Sequence, residues 1–351
     1  MSSDARTGST PVTGTSRQYR QLFAVRAADF IYIATKERYM YNNDKWGYSE
    51  ASDGVIERNI RITAKKRGKS IRISHLTDIH LNYCNEKDFE ENDPVLMSTY
   101  EHREWLKNGA SLDNAVRSLE HCKKSDIIVI TGDILDYLSH GCEELARTHI
   151  FTPYPNLIAS LGNHEAARKV QGKIADTMTF EEKEKRLKAL WCNDILYSST
   201  VIDERAMIIQ MDNCSHGDRF YEGQVELLKK DIEKARENGY IALLFFHVNI
   251  ATKNENDIQV FADMIGDASC KIMNLSEKGI SEKSGGASKE ICDIIRSNAD
   301  VISGCFCGHL HCDLYSEISA KAKDGEAKNI PQYTLIGTPY GKGHVLHINI
   351  D

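Results

Sequence analysis

The sequence predicts an α/β protein, and three observations carry that prediction. Short apolar runs recur at Asp126–Thr131, Asn156–Leu161, Ala206–Met211 and Ile241–Phe246, as strands buried on both faces require. Before and between them lie segments with apolar residues at helical spacing, such as Leu112, Ala115, Val116 and Leu119, or Val225, Leu228, Ile232 and Ala235. Polar chemistry begins where the runs stop, at Gly132-Asp133, Gly162-Asn163-His164 and His247. Alternating strands and helices that end in polar groups describe an α/β domain with a site at its strand ends.

Composition sets the outer bounds. The 351 residues, 41% hydrophobic and 27% charged, suit a soluble globular chain of one large or two ordinary domains. A net charge of −7 argues against a broad nucleic-acid footprint, yet a local positive site made by metal ions still admits a phosphate substrate. Ten cysteines without a regular framework read as reduced thiols. Residues 1–20 hold Ser, Thr, Gly and Arg but no apolar core of a secretory signal, and no run approaches the roughly 18 residues of a membrane span. The expectation is a cytoplasmic protein with a flexible tail at 1–25 and one domain at 26–351, and neither a membrane nor a nucleic acid as partner.

In chain order, Phe30–Ile33 is a candidate strand and Ile56–Thr63 another, with Arg67-Gly68-Lys69 turning it into a hairpin partner at Ile71–Thr77. Residues 84–109 read as a polar, irregular connection, either surface or lid. Helices follow at 112–119 and 143–147, then a charged amphipathic helix at Phe180–Trp191, the helix through Val225–Ala235, and another at 289–296. The strand Asp300–Cys305 leads into Cys307-Gly308-His309-Leu310-His311-Cys312, and Gln332–Ile336 and His344–Ile350 close the sheet. Segments 84–110, 165–192 and 251–288 are expected to be insertions that form a cap, a contact or plain surface.

Five strand ends therefore deliver Asp78 and His80, Asp133, Asn163 and His164, His247, and His309 and His311. These nitrogen and oxygen donors suit Mn, Fe, Zn, Co or Ni better than an all-oxygen calcium cage. With His164 set aside, the seven remaining ligands exceed what one catalytic ion takes, and point to two ions about 3.5–4 Å apart sharing a carboxylate, an arrangement made for displacement at phosphorus.

The ordered set Asp78-x-His80, Gly132-Asp133-x-x-Asp136, Gly162-Asn163-His164-Glu165, His247 and Gly308-His309-x-His311 resembles the calcineurin-like metallophosphoesterase superfamily. The resemblance implies a four-layer α/β/β/α sandwich of two mixed β-sheets flanked by helices. It implies one ion on Asp78, His80 and His311, a second on Asn163, His247 and His309, and Asp133 as the bridge. A metal-bound hydroxide would attack the ester while His164 assists the leaving group. Glu165 and Asp136 would orient ligands from behind. Where the protein phosphatase branch carries an Arg-Gly pair after the second aspartate, Tyr137-Leu138 stands here, which favours a small-molecule or nucleotide phosphomonoester or phosphodiester. The competing reading is a metal-binding scaffold without turnover. A nuclease would need a basic stripe with interleaved aromatics, which is missing.

Other residues have plainer readings. Asp136 could instead cap a helix. Cys305, Cys307 and Cys312 read as small buried residues rather than zinc ligands. His216 fits a turn, His344 and His347 point to opposite faces of one strand, and Tyr340 and Lys342 are candidates to approach the site.

Overall fold

The structure is a computed structural model that describes residues 47–102, 110–166, 169–170, 173–174, 178–217, 219–252, 279–281, 284–338 and 342–351. The predicted tail at 1–25, the strand at Phe30–Ile33, Tyr340 and most of 251–288 lie outside these residues.

The elements run β1 (Gly47–Glu50), β2 (Ile56–Ile62), β3 (Ile71–Leu76), α1 (Glu86–Glu91), α2 (Pro94–His102), α3 (Ala110–His121), β4 (Ile127–Thr131), α4 (His140–Ala146) and β5 (Leu157–Ser160). Next come α5 (Asn163–Ala166), β6 (Lys169–Val170), β7 (Lys173–Ile174), α6 (Phe180–Leu190), β8 (Tyr197–Ile202), β9 (Ala206–Met211), α7 (Glu222–Asn238) and β10 (Ile241–Phe245). The chain closes with α8 (Gly286–Arg296), β11 (Ile302–Cys307), β12 (Leu314–Ile318), β13 (Ile330–Thr334) and β14 (His344–Ile350).

Two mixed six-stranded sheets result, ordered β1-β2-β14-β3-β4-β5 and β12-β13-β11-β10-β9-β8. Their inner faces meet in one apolar layer in which Ile73, Val129, Leu346 and Ile348 of the first sheet face Ile208, Leu243, Phe245 and Phe306 of the second. On the outer face of the first sheet, Ile128, Ile130 and Ala159 pack with Ala115 and Leu119 of α3 and Leu187 of α6. On the outer face of the second, Ile209, Ala242 and Leu244 meet Leu228, Ile232 and Ala235 of α7 and Ile291 and Ile295 of α8. Helix, sheet, sheet and helix are thus four layers. All five residues of β4 and of β10 are buried, because each strand has covered neighbours on both sides and both faces. Helix α7 stops at Gly239, whose φ of 66° supplies the left-handed turn that ends a helix.

Several expectations need correction. β2 and β3 do not form a hairpin: β14 lies between them, parallel to β2 and antiparallel to β3, so the last strand enters the middle of the first sheet. Residues 84–109 are not irregular throughout. Asn85 accepts from Asp88 N–H and Asp88 accepts from Asn85 N–H, a reciprocal cap that starts α1. Asp93 accepts from Val95 and Leu96 N–H ahead of Pro94, the first residue of α2. β1, β8 and β12 gave no clear sequence signal. All three are edge strands, and an edge needs no fully apolar run. Lys342 does not reach toward the site, since it pairs with Glu50 at 2.5 Å. His344 and His347 do occupy opposite faces of β14, and both are buried because both faces are covered. Cys305, Cys307 and Cys312 are buried thiols, as read, and His216 lies in the turn closed by Gly217 N–H to the Cys214 carbonyl.

One polar contact ties the sheets together inside the core. Arg58 of β2 donates through Nε and Nη2 to Asp313 Oδ2 at 3.1 and 2.9 Å, while Asp313 Oδ1 accepts from Ile336 N–H at 3.0 Å. Both side chains are buried, so removing one strands a charge in the interior. Arg58→Ala is therefore expected to lower unfolding free energy by about 3–5 kcal/mol in urea titration, and Arg58→Met with Asp313→Leu to recover most of it.

A candidate dinuclear metal centre

The strands β3, β4, β5, β10 and β11 all release their polar residues at the same end of the stacked sheets. Asp78, His80, Asp133 and His311 bring one donor atom each within 4.8 Å of one another. His311 Nε2 lies 2.9 Å from Asp78 Oδ1 and 3.0 Å from His80 Nε2. Asp133 Oδ2 stands 3.7 Å from His80 Nε2 and 3.2 Å from His247 Nε2, between two groups of donors. The other group closes through Asn163, whose Oδ1 is 3.2 Å from His247 Nε2 and 2.8 Å from His309 Nδ1. His164 holds a less enclosed place, with Nε2 at 4.0 Å from Asp133 Oδ2. All eight predicted residues meet in one site.

The backbone explains how. Among the described residues only eight other than glycine have a positive φ, and Asp78, His80, Asp133, His309 and His311 are five of them, at 50°, 53°, 51°, 69° and 51°. Asp and His are among the side chains that tolerate this left-handed region, at a cost of roughly 1–3 kcal/mol per strained residue. His309 and His311 are thus not on an extended segment, and their rings need not share a face. One reaches Asn163 and the other reaches Asp78 and His80.

Close approach of the loops demands small residues. A Cβ on Gly308 would sit 1.9 Å from Thr77 Oγ1 and 2.3 Å from Asp78 Oδ2, and one on Gly162 would sit 2.1 Å from Asp133 Oδ1. The space that a side chain would need is filled by the donor carboxylates and their partners.

Hydrogen bonds aim the donors. Thr77 Oγ1 and His309 N–H donate to Asp78 Oδ2 at 2.6 and 2.9 Å, turning Oδ1 inward. His247 Nδ1 donates to the Thr131 carbonyl at 2.6 Å, which leaves Nε2 facing Asp133 and Asn163. His80 Nδ1 donates to Asp136 Oδ1 at 3.0 Å, and His164 Nδ1 donates to the Asp136 carbonyl at 2.9 Å. Asp136 therefore orients ligands as expected and caps no helix; Ser139 caps α4. Glu165 does something different from its expected role. Its carboxylate accepts from the N–H groups of Asp133, Leu135 and Gly162 at 3.0, 2.8 and 2.8 Å, clamping two ligand loops by their backbones. Thr77 and Thr131 escaped the sequence reading. Thr77 could have been found beside Asp78, but Thr131 works through its carbonyl, which no residue type announces.

Electrostatics fit a cationic group. Burial works against a charged His80, but its hydrogen bonds to Asp136 and Asp78 prevail and lift its pKa to about 10. His247 is likewise lifted to about 10 against burial, chiefly by Asp133 and Asp78. Burial also opposes a charged Asp133, yet the His247 and His164 rings hold it well below the usual carboxylate range. Burial and the Asp133 charge push Glu165 up to about 7. Asp78 Oδ1 is buried and accepts no properly angled hydrogen bond although imidazole nitrogens face it, the environment of an oxygen meant for a cation. Nitrogen and carboxylate donors converging without protons enough to satisfy them all suit divalent ions, which would displace the imidazole protons.

A sequence profile of the calcineurin-like phosphoesterase family matches residues 71–313, which contain every one of these donors. The chain belongs to that family. Solved structures to which the chain is similar include a purple acid phosphatase from yellow lupin seeds, at 12% identity and a TM-score of 0.41 over 78% of this chain. The chain spans 45% of the lupin protein's length. A dimetal phosphatase from Danio rerio shares 11% identity with a TM-score of 0.46, over 77% of this chain and 88% of the other. A phosphopantetheinyl hydrolase from Mycobacterium tuberculosis shares 10% identity with a TM-score of 0.35, over 78% and 92%. None of the curated proteins matches the chain. No helix among the described residues is long and apolar enough to cross a membrane. In this calcineurin-like phosphoesterase the donor set is a candidate dinuclear metal centre.

The tight packing at Gly308 yields a test. Gly308→Ala is expected to reduce Mn(II) bound per chain, read by elemental analysis after dialysis, while far-UV circular dichroism stays unchanged. Full metal occupancy in that variant would contradict the close approach of the loops.

Proposed function

We propose that the protein hydrolyses a phosphomonoester or phosphodiester of a small molecule or nucleotide at a centre of two metal ions. The observation that carries this reading is Asp133 Oδ2, set between the Asp78, His80 and His311 group on one side and the His247, Asn163 and His309 group on the other. The first group would hold one ion, the second group the other, and Asp133 both.

Two divalent ions, when bound, lower the pKa of water and neutralise charge on the phosphate. The chain's own residues set the rest. Asn163 supplies a neutral amide oxygen, which keeps negative charge low where an anion must bind. Its neighbour His164 and the ligand His311 have side chains 19% and 26% exposed while Asp78 and Asp133 are almost wholly enclosed, so these two rings border the open side, and His164 is the one of the two outside the ligand set. With Nδ1 held by the Asp136 carbonyl, Nε2 is free to meet the leaving oxygen, donating a proton or stabilising charge there. Tyr137 is fully buried, so the position that carries a phosphate-gripping arginine in the protein phosphatase branch contributes nothing to substrate binding here. That supports a small substrate over a phosphoprotein.

The same reading takes 26–351 as one catalytic domain in which 84–110, 165–192 and 251–288 set specificity. The packing of α2 against β6 supports a joint cap made by the first two.

Mn-loaded protein is expected to hydrolyse 4-nitrophenyl phosphate or bis(4-nitrophenyl) phosphate, and the preferred ester separates monoesterase from diesterase. Asp133→Ala should abolish turnover. If the wild-type protein binds two ions and cleaves neither ester, the reading fails in favour of a metal-binding scaffold. The division of ligands has its own check by calorimetry: His309→Ala should weaken the ion shared with Asn163 and His247, and His311→Ala the ion shared with Asp78 and His80. Equal weakening of both ions in each variant would refute the division.

A further inference from the structure

Beyond the metal donors, one buried polar chain runs back from Asp136 to Asn82 and Tyr137, two residues with no part in the mechanism above. Asp136 spends Oδ1 on two rings at once, 3.0 Å from His80 Nδ1 and 3.2 Å from His164 Nδ1. Its Oδ2 accepts from Asn82 Nδ2 at 3.3 Å. The Asn82 amide oxygen in turn accepts from Tyr137 O–H at 2.8 Å, and Cys84 Sγ lies 3.8 Å beyond that hydroxyl. Tyr137, Asn82 and Asp136 are all buried. The two loops that carry the chain are braced against each other, since Asp136 N–H donates to the Leu81 carbonyl at 2.9 Å and Leu81 bridges to Leu135.

We propose that Asn82 and Tyr137 are positioning residues for the hydrolysis, fixing the Asp136 carboxylate and through it the rings of His80 and His164. The inference rests on the phosphoesterase reading above. The physical reason lies in the direction of donation. An aspartate carboxylate turns easily about its last torsion, and an asparagine amide can present either its oxygen or its NH2. A phenol buried with its O–H on the Asn82 oxygen forces the NH2 toward Asp136, so the carboxylate meets a donor. Without the hydroxyl the buried amide oxygen loses its donor, and the amide can turn away from Asp136 to find another, which would loosen both histidines. Tyr137 thus takes a role behind the site from the very position where another branch reaches forward to substrate.

The test uses the full chain with Tyr137→Phe, Asn82→Ala and the double variant. Mn(II) binding to the metal-free protein is followed by calorimetry, thermal unfolding is recorded, and kcat and KM are measured on whichever nitrophenyl ester the parent cleaves. Tyr137→Phe keeps the ring in place, so its melting temperature should stay near the parent's. One Mn(II) should bind about 10-fold more weakly, as expected for a group behind a ligand, while the other is unchanged. kcat should fall without a matching change in KM, and the double variant should lose no more than the worse single, because both act through one carboxylate. Additive losses, equal weakening of both ions, or unchanged Mn(II) affinity in both single variants would overturn the proposal. If the parent cleaves neither ester, the function fails, and the Mn(II) isotherms still decide this inference separately.

Discussion

The hydrogen bond from His309 N–H to Asp78 Oδ2 crosses from the second sheet's ligand loop to the first sheet's, and the site depends on that crossing. A second crossing runs from His247 Nδ1 to the Thr131 carbonyl. The first sheet brings Asp78, His80, Asp133 and Asn163 and the second brings His247, His309 and His311, so neither sheet makes a centre alone. The apolar layer between the sheets sets their separation, with Phe245 and Phe306 stacked at 4.8 Å directly beneath the strand ends. His75 stands edge-on to both rings and touches Thr131 Oγ1 at 2.8 Å, joining the core to the floor of the site.

Such proximity exacts a local cost. Left-handed backbone at five donors is unfavourable by several kcal/mol in sum, and carboxylates packed among imidazoles would repel or demand protons. The surrounding structure offsets this with charge-assisted bonds to the backbone: Glu165 clamps the Asp133 and Gly162 loops, and Asp133 Oδ1 accepts from His164 N–H at 2.9 Å. Protons held on His80 and His247 balance the carboxylates until cations replace them. The strain therefore has a physical reason in the function proposed for the site, since it aims donors inward that relaxed strand ends would splay apart.

Much of this was legible in advance. The apolar runs located β4, β9 and β10, central strands covered on every side, and also β5, an edge strand whose residues are nonetheless nearly all buried, while β3 and β11 were found through shorter apolar stretches that lead into the ligand motifs. Edge strands β1, β8 and β12 were not located, for want of such cover. The place of β14 between β2 and β3 was also hidden, since pairing across nearly three hundred residues leaves no local trace. Helices α1 and α2 had visible caps at Asn85 and Asp93 that the polar composition masked.

For the site, the sequence by itself determined which residue types arrive at which strand ends: Asp78 and His80, Asp133, Asn163 and His164, His247, His309 and His311. It could do so because the donors follow buried strands, and those strands show in the sequence as apolar stretches, near-continuous in β4 and β10 and broken by polar residues in β3 and β11. Only the tertiary structure decided how the donors point. Alternation along an extended chain put His309 and His311 on one face, whereas the left-handed turn at each sends them to opposite groups of donors. It decided too that Glu165 holds backbone and that Tyr137 faces the interior. Those outcomes depend on dihedral angles and on carbonyl partners such as Thr131, and neither is encoded in residue identity alone.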